Sequence, residues 1–135
     1  NYTVFGATRK IRAVDSSVYG SGFAAACGRL QDLEVFCGWL KDCGEKPKLD
    51  EGFEGVFLTS HNLLQMDDGL VPYVVSGPFF ALGSGADFAL GAMGAGAGPK
   101  EAVDIACRFD AASGGEVSVF DVGEVDRALG KGLAK

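Results

Sequence analysis

The 135 residues carry 18 acidic and 12 basic side chains, a net charge of -6 with the basic residues scattered. That balance argues against a nucleic-acid surface, which needs clustered Lys and Arg to replace the counterions condensed on phosphate. With 47% hydrophobic and 22% charged residues, the proportions are those of one globular domain, 1–135, able to bury a core without staples. No run of about 20 apolar residues crosses a membrane and no charged segment leads into an apolar one. The four cysteines, Cys27, Cys37, Cys43 and Cys107, lack CxxC spacing, which excludes a zinc knuckle or a thioredoxin motif. Thiols in a reducing, cytoplasmic compartment are expected.

From Arg9 to Val14 the residues alternate as in a strand, with Lys10, Arg12 and Val14 on one face. Asp15, Ser16 and Ser17 suit a turn, and Val18 to Ala26 reads as a small-residue strand buried on both faces, completing a hairpin. Leu30, Leu33, Phe36, Cys37 and Leu40 recur at helical steps and predict a helix over Arg29 to Asp42. Gly44 is placed to cap it, before a charged surface connection from Glu45 to Gly52. Phe53 to Thr59, Leu63 to Met66 and Leu70 to Val75 predict a three-stranded meander with turns at His61-Asn62 and Asp67-Asp68-Gly69. A further short strand is expected from Phe79 to Leu82.

Asp87 to Gly96 reads as a helix whose small residues pack closely on a neighbour, each glycine costing about 1 kcal/mol relative to Ala. Pro99 suits the first turn of a second helix with Ala102, Ile105, Ala106 and Phe109 as its inner stripe. A turn at Ser113-Gly114-Gly115 precedes a strand over Val117 to Val122. Glu124 to Leu133 reads as an exposed tail or helix.

Few residues offer chemistry on their own. His61, the single histidine, lies in a predicted turn, a poor place for a Ser-His-Asp arrangement, and reads as a plain turn residue. Gly83-Ser84-Gly85 lets backbone amides approach a ligand, but it lacks the full Gly-x-Ser-x-Gly pattern, and helix capping by Ser84 explains it equally well. Asp110 and Ser113, three residues apart beside a glycine turn, read first as a helix C-terminus. Lys10 reads as a solvated strand residue, and serves as a base only where burial lowers its pKa.

Taken together, these segments fall in the order of the proteasome β-subunit family and its HslV-type bacterial relative. Arg9-Lys10-Ile11 resembles the family's basic pair, whose lysine tunes the nucleophile. Gly20 to Gly28 followed by Asp32 resembles the strand-to-helix turn that supplies the oxyanion-hole amide. Phe80-Ala81-Leu82-Gly83-Ser84-Gly85 is similar to the stretch whose serine lies beside the nucleophile's amine. Ala106-Cys107-Arg108-Phe109-Asp110-Ala111-Ala112-Ser113-Gly114-Gly115 resembles the arginine–aspartate and Ser-Gly-Gly segment, the most specific match. The similarity runs from about Thr8 to Val122, with too few residues between the first helix and the meander for the family's second long helix.

The resemblance implies an α+β fold, the four-layer αββα sandwich of the N-terminal-nucleophile hydrolases, and threonine-type hydrolysis of peptides or unfolded proteins. It implies Lys10, Ser84, Asp110, Ser113 and Gly28 as site residues, a homo-oligomeric ring, room for an ATP-driven unfoldase as partner, and neither cofactor nor metal. The family's nucleophile is an N-terminal threonine on a hairpin. Here the first residue is Asn1 and the alignment places it beyond that hairpin, so the chain as written is expected not to cleave peptides. Two other readings stand beside this one: a catalytically inactive relative with a structural or assembly role, and a small amidohydrolase of the same fold.

Overall fold

The computed structural model describes residues 3–7, 11–76, 80–110 and 117–121. The chain is a mixed α/β protein whose centre is a five-stranded antiparallel sheet in the order β2-β3-β4-β5-β6. Its strands are β2 (Ile11–Ser16), β3 (Gly20–Cys27), β4 (Glu54–Thr59), β5 (Leu63–Asp67) and β6 (Tyr73–Val74). Each strand pairs with the next one in the chain, β3 and β4 being joined through the helix α1 (Leu30–Leu40) and the others by short connections. Two more strands, β1 (Thr3–Ala7) and β7 (Val117–Asp121), form a separate antiparallel pair from opposite ends of the chain, with Phe5 opposite Val119.

Strand alternation decides which residues meet which layer. Val14, Ala24, Phe57, Leu64 and Met66 share one face and pack with Leu33, Phe36, Trp39 and Leu40 of α1. Ile11, Phe23, Val56, Leu58 and Leu63 share the other face, and it too is buried, with Phe80 and Leu82 packed against it. A sheet apolar on both sides lies inside a layered protein. The remaining helices, α2 (Ala86–Gly94) and α3 (Pro99–Phe109), pack on each other, and α3 also lies against β1 and β7. Among the described residues, no helix is long and apolar enough to cross a membrane.

Most elements stand where periodicity puts them, and the differences have local causes. The turn of the first hairpin falls at 17–19 rather than at Asp15 to Ser17, because the Ser16 hydroxyl accepts from the backbone N–H groups of Val18 and Tyr19. Helix α1 is closed by Cys43 rather than Gly44. Cys43 takes the left-handed φ of 52° and donates its N–H to the Trp39 carbonyl at 2.7 Å. Gly44 is instead held by its carbonyl, which accepts from the Trp39 indole. The connection from Glu45 to Gly52 is not wholly surface, since Leu49 inserts into the core under α1. Residues 80–82 are not a strand. In α3, Ala102 and Ala106 are buried as expected, but Phe109 is 65% exposed. The expected helix over Glu124 to Leu133 lies outside the described residues.

Candidate functional site

Helices α2 and α3 form a hairpin joined by residues 95–98, and its tip follows from one glycine. Gly96, at φ +109°, lets the N–H groups of Gly96 and Ala97 reach back to the carbonyls of Met93 and Ala92, each at 3.0 Å. That is the paired bond pattern of a glycine-terminated helix. Pro99 then starts α3 in a first turn where its missing N–H costs nothing. The seam between the helices is Ala89, Met93, Ala102 and Ala106, and small side chains let the two backbones approach closely. The hairpin brings the beginning of α2 beside the end of α3.

Ser84 and Asp110 meet at that place. The Ser84 hydroxyl donates to Asp110 Oδ2 at 2.6 Å across 26 residues of chain, a length typical of a hydroxyl bound to a carboxylate. The capping explanations are corrected accordingly. Gly85, not Ser84, is the N-cap of α2, and no side chain caps that end. Asp110 does occupy the C-cap of α3, donating its N–H to the Ala106 carbonyl at 2.8 Å. Its carboxylate, however, is engaged by the serine. Ser84 is presented by Gly83, whose φ of +105° is closed to most side chains.

Strand β3 ends against the same loop. The Cys27 sulfur lies 3.5 Å from the point where a Cβ on Gly83 would stand. Gly28 follows at φ +116° and turns the chain into α1. Beyond it, Arg29 pairs with Asp32 at 3.2 Å and with Asp50 at 2.8 Å. The largest influence on Arg29 is its bond to Asp32, which raises the guanidinium pKa. The buried carboxylate of Asp32 sits in the first turn of α1, where the helix dipole favours negative charge.

Of the five residues singled out in the sequence, Ser84 and Asp110 are therefore in direct contact, and Gly28 stands one residue from Cys27, which touches their loop. Lys10 and Ser113 lie outside the described residues. Cys27 was not among the expected site residues; the one signal for it in the sequence is its position beside Gly28. His61 is exposed in the turn after β4. The register sets Cys27 opposite Glu54 and Gly22 opposite Thr59, so His61 is at the other end of the sheet from Cys27.

A carboxylate is only a weak base towards an alcohol, so the pair is better suited to orienting another group than to attacking one. The serine oxygen keeps a lone pair for an amine or water, and the carboxylate favours a positive charge nearby. Among the described residues, no group of three or more His, Cys, Asp or Glu could hold a metal ion. Comparison with known proteins finds no family model that matches the chain and no curated protein that matches it.

Proposed function

We propose that these residues belong to a proteasome-like, threonine-type peptidase subunit, and that the fold is the four-layer αββα sandwich of the N-terminal-nucleophile hydrolases. The observation that carries the reading is the 2.6 Å bond between Ser84 and Asp110. These residues come from the two segments with the most specific resemblance, and neither capping nor local turn formation requires them to meet. The sandwich reading draws support from a sheet buried on both faces, with α1 on one side, and from the packing of α3 on the β1–β7 pair.

On this reading the nucleophile is an N-terminal threonine outside the 135 residues. Its hydroxyl attacks the peptide carbonyl while its α-amine takes the proton and hands it to the departing amine as the C–N bond breaks, leaving an acyl-enzyme that water then hydrolyses. Ser84, Asp110 and Ser113 hold the amine, Lys10 lowers the pKa of the nucleophile by its charge, and an amide at Gly28 stabilises the oxyanion. The substrates are peptides or unfolded proteins, and the subunits assemble as a homo-oligomeric ring that an ATP-driven unfoldase can feed.

The test joins these residues to a threonine-bearing segment of their parent polypeptide and measures hydrolysis of fluorogenic peptides. Turnover blocked by a covalent threonine-directed inhibitor is expected, with Ser84→Ala and Asp110→Asn each lowering kcat by about 10²-fold. Light scattering on the same sample should give a discrete ring mass. A folded, assembled protein without turnover would overturn the peptidase reading in favour of an inactive structural relative. Turnover on small amides but not on peptides would point to an amidohydrolase.

A further inference from the structure

A second contact joins the ends of α2 and α3. The rings of Phe88 and Phe109 stack with centroids 5.9 Å apart at 25°, although both side chains are exposed, Phe88 at 43% and Phe109 at 65%. Their places in the chain matter. Phe88, in the first turn of α2, stands four residues after Ser84, and Phe109 immediately precedes Asp110. The guanidinium of Arg108 lies 6.0 Å from the centroid of the Phe109 ring, adding a contact to a ring the core does not hold. The seam of Ala89, Met93, Ala102 and Ala106 sets the spacing of the helices, but a seam of small side chains resists sliding weakly. A stacked pair at one end, worth about 0.5–1.5 kcal/mol beyond its area, resists it directly.

We propose that Phe88 and Phe109 are positioning residues, and that their stack fixes the end of α3 relative to the start of α2 and so holds the Ser84–Asp110 bond at its short length. A hydroxyl–carboxylate bond loses strength with small displacements, and the last turn of a helix frays unless something ties it down. The stack supplies that tie one residue before Asp110. The positioning role rests on the peptidase reading, whereas the mechanical coupling of stack to bond does not.

The test is nuclear magnetic resonance on the 135-residue chain, following the side-chain carboxyl carbon of Asp110 in Phe109→Tyr, Phe109→Leu, Ser84→Ala and the double variant Phe109→Leu/Ser84→Ala. Phe109→Tyr keeps a ring and should leave the resonance in place. Phe109→Leu keeps apolar bulk without a ring and should move it most of the way to its position in Ser84→Ala, with no further movement in the double variant. A Phe109→Leu chain that loses thermal stability but keeps the wild-type carboxyl resonance would overturn the proposal, since the ring would then be packing only. Should Phe109→Leu fail to fold, Phe88→Leu reads the same coupling from the partner ring. In the complete polypeptide, Phe109→Leu should lower kcat with KM unchanged and Phe109→Tyr should restore it. If that polypeptide has no turnover, the peptidase reading fails, while the resonance shift still decides the coupling.

Discussion

Gly55 carries no side chain because the ring of Phe36 fills the space one would need. A Cβ there would lie 2.8 Å from Phe36 Cε2, and Phe36 is itself fixed edge-on against Phe53 at 5.3 Å. Gly55→Ala should therefore displace a buried ring and cost about 1–3 kcal/mol, read as a lowered denaturant midpoint with unchanged m. Gly22 meets backbone instead: a Cβ would overlap the Leu58 carbonyl oxygen, so Gly22→Ala should do more harm than Gly55→Ala by forcing β3 away from β4. The small residues of β3 were legible as a tightly packed strand. What they make room for was not, because it is contributed by β4, more than thirty residues away. The pairing of Ser84 with Asp110 has the same character. Each residue alone is explained by capping, and the alternative arises only when a helical hairpin brings 26 residues of separation down to one bond.

The elements differ in how much of their form is local. Helix α1 announces itself by apolar spacing, and its stripe is the face that packs on the sheet. Phe36 is the centre of that face and fully buried. Phe36→Ala should cost about 3–5 kcal/mol, the range for opening a core cavity of that size, measured by urea or thermal unfolding. The α2–α3 hairpin depends on its tip. At Gly96 a Cβ meets nothing within 4 Å, but φ is +109°, so Gly96→Ala is penalised by backbone strain alone, about 1–2 kcal/mol. Hydrogen exchange should then quicken at Ala95, Gly96 and Ala97 while the sheet amides remain protected. Two elements differ from their sequence pattern for local reasons: a cysteine takes the left-handed position beside a glycine, and Phe80 and Leu82 pack on the sheet without joining it.

On the scale of the molecule, alkaline pH should unfold the α1 side of the core. Burial is the main cause that pushes the Cys37 thiol up to about 11 from 9.0, with Glu34 adding to it. Cys43 is also raised by burial, and so is Tyr19. All three hold their protons longer folded than unfolded; for Cys37 the contribution is fully present below pH 9 and is lost as pH rises from 9 towards 11. The denaturant midpoint should fall across that window, and Cys37→Ala should flatten the fall even as it lowers the midpoint at neutral pH. Equal slopes in the two proteins would show that Cys37 does not carry the effect.

Sequence by itself determined the alternation of the strands, the stripe of α1, the small-residue helices and the turns after β4 and β5, because each follows from spacing between residues that are neighbours in the chain. Lys10, Ser84, Asp110, Ser113 and Gly28 became candidates through resemblance rather than through spacing. Tertiary structure alone decided that β1 and β7 pair from opposite ends of the chain. It alone decided that Ser84 binds Asp110 instead of capping α2, and that Cys27 ends β3 against their loop. The physical reason is common to these cases: a side chain's partner across a helical hairpin or a sheet edge is set by how layers close on one another, and no local periodicity encodes that closure.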